Sequence, residues 1–264
     1  MSSPHAALAV IGGSGFYEFL DDATDVDVPT PYGDPSAPLA IGTVAGQPVV
    51  FLPRHGRRHA YPPHLINYRA NLWALRSLGA RQVLAPCAVG ALSHDLAPGD
   101  LVVPDQLVDR THRRVSSYVE SGACHLPFAD PYCSRLGDAV VAAAPDVKAG
   151  GTMVVIEGPR FSTRAESQHH AAQGWSLVNM TGSPEAPLAR EMRQCYSAIA
   201  LVTDMDAGVE SGAGVGQEEV FALFAQNLER LRTLLADTIA TLPDPSGCAC
   251  EAWADGMDLT YEIP

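Results

Sequence analysis

Leu8-Ala9-Val10-Ile11 is followed at once by Gly12-Gly13-Ser14-Gly15. Four consecutive apolar residues before a glycine-rich turn are typical of a buried strand that ends in a tight turn. Glycines allow the backbone N–H groups of such a turn to converge on an anion. This stretch therefore predicts a buried strand with a phosphate site at its end.

Two widespread nucleotide-binding motifs do not fit the glycine turn. The dinucleotide fingerprint needs a third glycine at position 18, which is Glu18. The triphosphate-binding loop needs Gly-Lys followed by Ser or Thr, and no such sequence follows. Dinucleotides and nucleoside triphosphates are therefore excluded as ligands of this turn.

Short apolar runs recur along the chain and alternate in its later part with helical segments. The runs cover residues 49–51, 82–85, 101–103, 153–156 and 199–202. Helices are predicted from Asn67 to Leu78 and from Arg164 to Gln173, because Gly79 and Gly174 follow them as C-caps. This order of elements is typical of an α/β fold.

The carboxyl-terminal part of the chain has a helical period. From Gln217 to Leu242, apolar residues recur at three- and four-residue steps, which predicts one long amphipathic closing helix. The segment from Pro29 to Pro38 is interpreted as a surface loop, and the residues after Pro243 as a tail. With 264 residues, 47% of them apolar, the chain fits one domain over 1–243 and a C-terminal tail over 244–264.

The charge balance limits the partners. Acidic residues outnumber basic ones by 30 to 17, and no cluster of Lys and Arg could follow a nucleic-acid backbone, so polymeric nucleic acid is not expected to bind. No segment approaches the roughly 18 to 20 apolar residues of a membrane helix. Met1-Ser2-Ser3-Pro4-His5 lacks the basic flank of a signal peptide, so a cytoplasmic location is expected.

Six cysteines are spread over the chain, at positions 87, 124, 133, 195, 248 and 250. Their spacing matches neither paired Cys-x-x-Cys zinc motifs nor a small disulfide scaffold, so reduced and packed thiols are expected. Cys248 and Cys250 stand close together in the tail. A redox or metal role stays open for this pair beside the favoured interpretation of an inert tail.

Residues 53–59, Pro-Arg-His-Gly-Arg-Arg-His, concentrate hydrogen-bond donors in one loop. Arg54 could bind two phosphate oxygens at once through its planar guanidinium. A solvated basic loop is the alternative, and for such a run in isolation it is the favoured one. The interpretation as a phosphate site depends on what the rest of the chain supplies.

Four further stretches carry polar residues next to apolar strand-like runs. They are Ala85–Leu92, Ile156–Glu166, Val178–Gly182 and Val202–Asp206. Ligand sites form where polar groups follow successive strands of an α/β sheet. Together with the glycine turn and the Arg-His loop, these stretches predict one shared site.

In this order, the stretches resemble the trimeric purine nucleoside phosphorylase family and, within it, the 5′-methylthioadenosine phosphorylases. The resemblance extends from Ile11 to the helix ending near Leu242. It implies a mixed central sheet flanked by helices, a homotrimer, and a nucleoside and phosphate as small-molecule substrates. It also implies that no metal or organic cofactor is needed, since inorganic phosphate is the co-substrate.

The resemblance assigns a set of residues to the phosphate. These are Ser14, Arg54, His55, Cys87, Ala88 and Thr181. Relatives commonly carry Thr where this chain has Cys87. A thiol is a weaker donor than a hydroxyl, so Cys87 is expected to contribute mainly its backbone N–H.

The base and sugar contacts implied by the resemblance are those of adenine-specific members. The contacts are Phe161, Ser162, Asn179, Met180, Asp204 and Asp206, with Met180 against the sugar. Asp204 is the expected acid that delivers a proton toward N7. Oxopurine-specific relatives carry Asn in place of Asp204 and Glu in place of Ser162, because an ionised carboxylate repels a 6-oxo group.

The resemblance also implies a site for the 5′ substituent. Its residues are His59, Val215, Gln217, Val220, Phe221 and, from a neighbouring subunit, His125. Relatives that act on methylthioadenosine carry an apolar residue at about the position of Gln217.

Asp204 and Asp206 taken alone could also form a turn or a helix cap.

The resemblance implies phosphorolysis of 5′-methylthioadenosine to adenine and 5-methylthioribose 1-phosphate. Four alternatives stay open. They are a phosphorylase of 5′-halogenated adenosine, a broader purine nucleoside phosphorylase, a hydrolytic nucleosidase and a non-enzymatic purine-binding module. The nucleosidase would have no need of a phosphate site, and the binding module would have no need of an acid at Asp204.

Overall fold

A computed structural model describes residues 6–13, 20–209 and 214–264. Its strands are Leu8–Gly12 (β1), Asp21–Val26 (β2), Leu39–Val44 (β3), Gln47–Pro53 (β4), Gln82–Ala91 (β5), Leu101–Val103 (β6), Gln106–Asp109 (β7), Lys148–Ala149 (β8), Thr152–Val155 (β9), Leu177–Asn179 (β10) and Cys195–Met205 (β11). Its α-helices are Tyr68–Ser77 (α1), Ser134–Ala143 (α2), Arg164–Ala172 (α3), Gly182–Glu191 (α4), Gln217–Gln226 (α5), Leu228–Thr241 (α6) and Ala249–Ala252 (α7). Short 3₁₀ turns cover Arg57–His59 and Pro63–Leu65. The predicted α/β class and both predicted glycine-capped helices are confirmed.

The strands form one mixed sheet in the order β2-β3-β4-β1-β5-β10-β9-β7, with β11 on the other edge of β5, followed by β6 and β8. Strands β4, β1, β5 and β11 are mutually parallel, whereas β10 runs antiparallel to β5. Parallel strands of this kind are covered on both faces. Their near-continuous apolar runs in the sequence follow from that burial.

Alternate residues of the central strands enter two separate cores. In β1, Ala9 and Ile11 face the core that contains α1 and α4, whereas Leu8 and Val10 face the core that contains α2 and α6. This two-residue alternation is the period of a strand. Helices therefore lie on both faces of the sheet.

The sheet splits along one edge of β5. At the start of β5 this edge pairs with β1, as far as Leu84 opposite Val10, and at the end it pairs with β10, where Gly90 lies opposite Val178. Between these pairings, the backbone carbonyls of Pro86 and Ala88 accept hydrogen bonds from side chains instead. The split leaves an opening in the middle of the sheet.

The predicted long closing helix is wrong in one respect, because the segment consists of two helices that meet at Asn227. The side-chain amide of Asn227 donates to the carbonyl of Leu223 at 3.0 Å. The backbone of Asn227, with a ψ of 3°, departs from helical geometry. Asn side chains compete in this way with backbone hydrogen bonds. The apolar face itself is as predicted, with Phe224, Leu231 and Leu235 buried.

The segment 244–264 packs against the rest of the chain instead of forming a surface tail. Helix α7 buries Cys250, and the indole N–H of Trp253 donates to the carbonyl of Arg190 at 2.8 Å. Tyr261 stacks on Tyr118 with ring centroids 5.8 Å apart. Within the described ranges, the helices are too short or too polar to cross a membrane.

Candidate active site

A cavity of about 330 Å³ opens at the split in the sheet. Predicted residues that line it are Arg54, His55, His59, Cys87, Ala88, Phe161, Ser162, Asn179, Met180, Thr181, Asp204, Asp206, Gln217, Val220 and Phe221. Segments distant in sequence are thus brought together as predicted. Ser14 lies outside the described residues, and Val215 and His125 are not among the residues that line the cavity.

Arg54 is fixed by a buried ion pair. Its Nε and Nη2 donate to the two carboxylate oxygens of Glu185, at 2.5 and 3.0 Å, and its Nη1 donates to the carbonyl of Pro86 at 3.0 Å. Three of the five guanidinium N–H groups are thereby used. One N–H on each terminal nitrogen remains available to a ligand, so an anion would meet the edge that Glu185 leaves free.

The ion pair keeps Arg54 charged inside the protein. Burial by itself would lower the pKa of the guanidinium, but the Glu185 carboxylate outweighs burial and the pKa lies above its ordinary value. Glu185 also accepts a hydrogen bond from the hydroxyl of Tyr196 at 2.8 Å. Gly13 borders this group, since a β-carbon there would lie 3.4 Å from Nη1 of Arg54.

His55 is neutral and oriented. Burial, followed by the positive charge of Arg54, lowers the pKa of His55 to about 3. Its Nδ1 lies 2.9 Å from the carbonyl oxygen of Tyr61 and must donate to it, because a carbonyl can only accept. The Nε2 atom is left as an acceptor, suited to a protonated phosphate oxygen. The ring of His59 stacks on that of His55 at a centroid distance of 4.1 Å.

The turn after β10 is built around the side chain of Asn179. Its Oδ1 accepts hydrogen bonds from the backbone N–H groups of Thr181 and Gly182, each at 2.6 Å. Its Nδ2 donates to the carbonyl of Ala88 at 3.1 Å across the split. Asn179 therefore places the Thr181 hydroxyl at the cavity wall, and its own polar atoms are engaged in doing so.

Cys87 lies on β5 between Pro86 and Ala88 and is buried. Burial raises the pKa of its thiol to about 12, so the group is protonated and uncharged at neutral pH. A neutral thiol is a weak donor, which agrees with the expectation that this residue serves a phosphate mainly through its backbone.

A β-bulge places Asp204 in the cavity. The register of β11 against β5 shifts between Val202 and Asp204, so Thr203 is the extra residue. Bulges re-aim side chains in this way near active sites. Oδ1 of Asp204 would lie 3.0 Å from a β-carbon at Gly90, so the absence of a side chain at Gly90 gives the carboxylate its space.

The Asp204 carboxyl group is half-buried and only partly ionised near pH 6. Burial raises its pKa to about 6, although the hydroxyl of Thr203, which donates to Oδ2 at 2.7 Å, acts in the opposite direction. The charges of Asp206 and Glu219 add to the rise. A carboxyl group with such a pKa can carry a proton at physiological pH and release it in a reaction.

Asp206 has a different environment from Asp204. It is buried, and its Oδ2 accepts a hydrogen bond from the hydroxyl of Ser167 in α3 at 2.5 Å. Ser162, in contrast, has a buried hydroxyl without a hydrogen-bond partner in the part of the chain that the structure describes. Thr163, and not Ser162, caps the N-terminus of α3, so the hydroxyl of Ser162 remains available to a ligand.

The remaining wall of the cavity is apolar apart from Gln217. Sδ of Met180 packs against Gly158, and Phe161 lies on the same loop as Ser162. At the other side, the first turns of α5 contribute Gln217, Val220 and Phe221. The ring of Phe221 meets that of His59 edge-on, with centroids 5.7 Å apart.

Several residues that shape the site were not assigned a role from the sequence. Glu185 orients Arg54, Thr203 hydrogen-bonds Asp204, and Gly90 makes room for it. Gly90 and Thr203 stand inside quoted stretches, so their position was a signal. Glu185 is 131 residues from Arg54, and nothing near it in the sequence marks the pairing.

The cavity therefore has a cationic end and an acidic end. Arg54, His55 and Thr181 line the first, while Asp204 and the unpaired hydroxyl of Ser162 line the second. Residues 7–242 match the family described as the phosphorylase superfamily. The chain belongs to the phosphorylase superfamily. The family predicted from the sequence is thereby confirmed.

Relatives of this phosphorylase superfamily member share nearly its whole length. It is 56% identical over 275 residues to the purine nucleoside phosphorylase of Streptomyces coelicolor, with 98% of each chain covered. It is also 56% identical over 258 residues to the S-methyl-5′-thioadenosine phosphorylase of Mycolicibacterium smegmatis, covering 97% of this chain and 99% of the relative. The methylthioadenosine phosphorylase of Schistosoma mansoni in complex with adenine has a TM-score of 0.88 and 38% identity, covering 91% of this chain and 94% of the other. The predicted nucleoside-phosphorylase-like sheet is confirmed.

Proposed function

We propose that the protein catalyses the phosphorolysis of 5′-methylthioadenosine to adenine and 5-methylthioribose 1-phosphate. The observation that carries the proposal is the Asp204 carboxyl group, whose pKa of about 6 suits a proton donor, at the acidic end of the cavity. Relatives at 56% identity act on purine nucleosides or on methylthioadenosine.

In the proposed reaction, a phosphate oxygen attacks C1′ while the bond from C1′ to N9 breaks. The electron pair of that bond passes to the purine, and the proton of Asp204 moves to N7. General acids of this kind typically contribute 10²- to 10⁴-fold, or about 3 to 5 kcal/mol of barrier. Phosphate acts as nucleophile and as counter-charge to the ribosyl cation, so no metal or organic cofactor is required.

The acidic end favours adenine as the base. A carboxylate accepts a hydrogen bond from the N6 amino group and, when protonated, donates to N7. A 6-oxopurine would place an acceptor there against Asp204, which is ionised above about pH 6. The unpaired hydroxyl of Ser162 provides a further donor or acceptor for the base.

The 5′ end of the substrate is proposed to lie against α5. Val220, Phe221 and the ring of His59 give an apolar surface for a methylthio group. Gln217 is the polar exception, and it favours a broader purine nucleoside phosphorylase as the second candidate, because its amide could bind a 5′-hydroxyl. A 5′-halogen would fit the same apolar surface.

We also propose that the enzyme is a cytoplasmic homotrimer in which His125 of a neighbouring subunit completes the 5′ site. His125 is exposed in its own chain. Tyr61 and Leu65, which flank cavity residues Pro62 and Pro63, are 41% and 62% exposed, as expected of a side covered by another subunit. The free state of the cysteines supports a reducing compartment.

A substrate panel tests the proposed function. The protein is incubated with methylthioadenosine, adenosine, inosine and 5′-halogenated adenosines, with and without phosphate, and the sugar product is identified. We expect strict phosphate dependence, a sugar 1-phosphate as product and a preference for adenine nucleosides. Equal turnover in phosphate-free buffer with release of a reducing sugar would instead identify a hydrolase.

A further inference from the structure

Four cysteines from three separate parts of the chain meet in one place. Cys133 precedes α2, Cys195 begins β11, and Cys248 and Cys250 belong to the segment that forms α7. Their Sγ atoms all lie within 4.8 Å of one another, and those of Cys133 and Cys248 are 3.7 Å apart. Cys133, Cys195 and Cys250 are buried. The interpretation of the Cys248 and Cys250 pair as part of an inert tail does not fit this arrangement.

The cluster is remote from the active site. Cys195 and Asp204 stand on the same strand, nine residues and thus about 30 Å apart. The cluster lies in the core beside α2 and α6. None of its cysteines lines the cavity.

The geometry points to a structural zinc site formed by Cys133, Cys195, Cys248 and Cys250. Zinc in such sites is tetrahedral with Zn–S bonds of about 2.3 Å, which places each pair of sulfurs about 3.8 Å apart. The Sγ atoms of Cys133 and Cys248 are 3.7 Å apart, which matches this value. The other sulfur pairs are at most 4.8 Å apart, so each would shorten by about 1 Å or less on binding zinc.

The mutual proximity of all four sulfurs favours one shared ion over two disulfides. A disulfide brings two sulfurs to about 2 Å and has no need of a second pair nearby. All four thiols are free. A central cation accounts for the convergence of all four, because each sulfur then has the same partner.

The surroundings suit a negatively charged metal–thiolate group. Nη2 of Arg135 lies 3.5 Å from Sγ of Cys195 and donates to it. Second-shell donors of this kind are typical of metal sites.

Zinc would fasten the C-terminal segment to the sheet and to α2. The binding step is Zn²⁺ plus four thiols giving a zinc tetrathiolate and four protons, without a change of oxidation state. Other contacts of this segment include the stacking of Tyr261 on Tyr118 and the ion pairs of Arg81 with Glu251 and of Arg193 with Asp255. Partly exposed ion pairs contribute little, so the metal would add to the docking free energy that the apolar contacts supply.

Metal analysis of the native chain tests the site. The full-length protein is purified without chelators under reducing conditions, and zinc per chain is measured by mass spectrometry. We expect about one zinc per chain in the wild type, and a large loss in Cys250→Ala. Cys124→Ser is the matched control, because Cys124 lies outside the cluster, and it should keep the zinc. Replacement of zinc by Co²⁺ should give the absorption of a tetrahedral cobalt thiolate.

Stability gives a second measurement that does not depend on catalysis. A strong chelator should lower the Tm of the wild type and of Cys124→Ser. If Cys250→Ala fails to fold, Cys250→His should restore both folding and the metal, since three thiolates and one imidazole also bind zinc. Absence of zinc from the wild type after incubation with Zn²⁺ and reductant would overturn the proposal, and so would disulfides in the natively purified chain.

Discussion

The carboxylate of Glu185 binds the guanidinium of Arg54 along one edge, with both groups 1% exposed. Arg54 also lines the cavity, with one N–H on each terminal nitrogen not used by Glu185 or Pro86. The pair therefore fixes the direction in which Arg54 presents its remaining N–H groups, and it neutralises the charge while no anion is bound. An arginine held in this way is pre-organised for a planar, two-point contact with phosphate.

Glu185→Gln should destabilise the protein and weaken phosphate binding. Removing one partner of a buried ion pair typically costs about 3 to 5 kcal/mol, because the other charge stays buried. Thermal unfolding with and without phosphate measures both effects, and phosphate should raise the Tm of the variant less than that of the wild type, because a more weakly bound ligand stabilises the folded state less. Glu229→Gln is the control, since its exposed pair with Arg232 contributes about 1 kcal/mol or less. Equal losses in the two variants would contradict the role of Glu185.

Arg54→Lys should mainly raise the KM for phosphate, by about tenfold or more, because lysine keeps the charge but cannot bind Glu185 and phosphate through two edges of one plane. Arg54→Ala should raise it further. Initial rates over a range of phosphate concentrations at saturating nucleoside measure the change. An unchanged phosphate dependence in both variants would remove Arg54 from the phosphate site.

The sequence predicts those strands that are continuous apolar runs, such as β1 and the middle of β4. It does not reveal β2, Asp21–Val26, whose side chains are exposed or half-exposed and include three aspartates, because no buried face marks it. It also underestimates β5, which continues through Pro86 to Ala91. The extra length matters, since the split in the sheet lies along it.

The residue types at the site were predictable, but their pairings were not. Asp204 follows an apolar run and can be found from the sequence, whereas its aim into the cavity depends on the bulge at Thr203. Cys133 and Cys248 are 115 residues apart and meet only through the fold. Long-range pairings of this kind depend on packing, which local sequence patterns do not encode.

Asp204→Asn should reduce the kcat/KM for methylthioadenosine by about 10²- to 10⁴-fold, because an amide cannot supply a proton to N7. The amide can donate to a 6-oxo group, so activity on inosine should fall less or rise. Asp206→Asn is the comparison. Asp206 accepts a hydrogen bond from the hydroxyl of Ser167, so its replacement should affect activity through the position of α3. Near wild-type turnover by Asp204→Asn would move the acid role to Asp206.

Asp204→Asn should also stabilise the protein at alkaline pH. The pKa of Asp204 is raised by burial from 3.8 to about 6, so the folded state binds more protons than the unfolded state between about pH 4 and 6. The free energy of unfolding of the wild type, relative to that of Asp204→Asn, should therefore rise as the pH falls through 6. Above that pH the ionised carboxylate costs at most about 3 kcal/mol, the equivalent of two pKa units.

Chemical denaturation of both proteins at pH 8 and pH 5 measures this difference. We expect Asp204→Asn to be the more stable protein at pH 8 and the advantage to shrink at pH 5. Asp206→Asn carries the same chemical change two residues away and should not stabilise the protein at pH 8. An advantage of Asp204→Asn that does not vary with pH would show that the carboxylate carries no desolvation cost.

Selectivity at the 5′ end should depend on Gln217. It begins α5 and lines the cavity together with Val220 and Phe221, so its amide is the polar group on an otherwise apolar surface. A methylthio group in place of a hydroxyl adds about one or two methylenes of buried surface, worth about 1 to 3 kcal/mol in a hydrophobic site. The wild type should therefore prefer methylthioadenosine over adenosine by about 10- to 200-fold in kcat/KM. The amide of Gln217 should reduce this preference, because it can hydrogen-bond the 5′-hydroxyl of adenosine. Gln217→Val should increase the preference, whereas Glu218→Gln, at the next residue and outside the cavity lining, should leave it unchanged. If adenosine is the better substrate of the wild type and Gln217→Val reverses the order, the second candidate function is the correct one, and the amide is its cause.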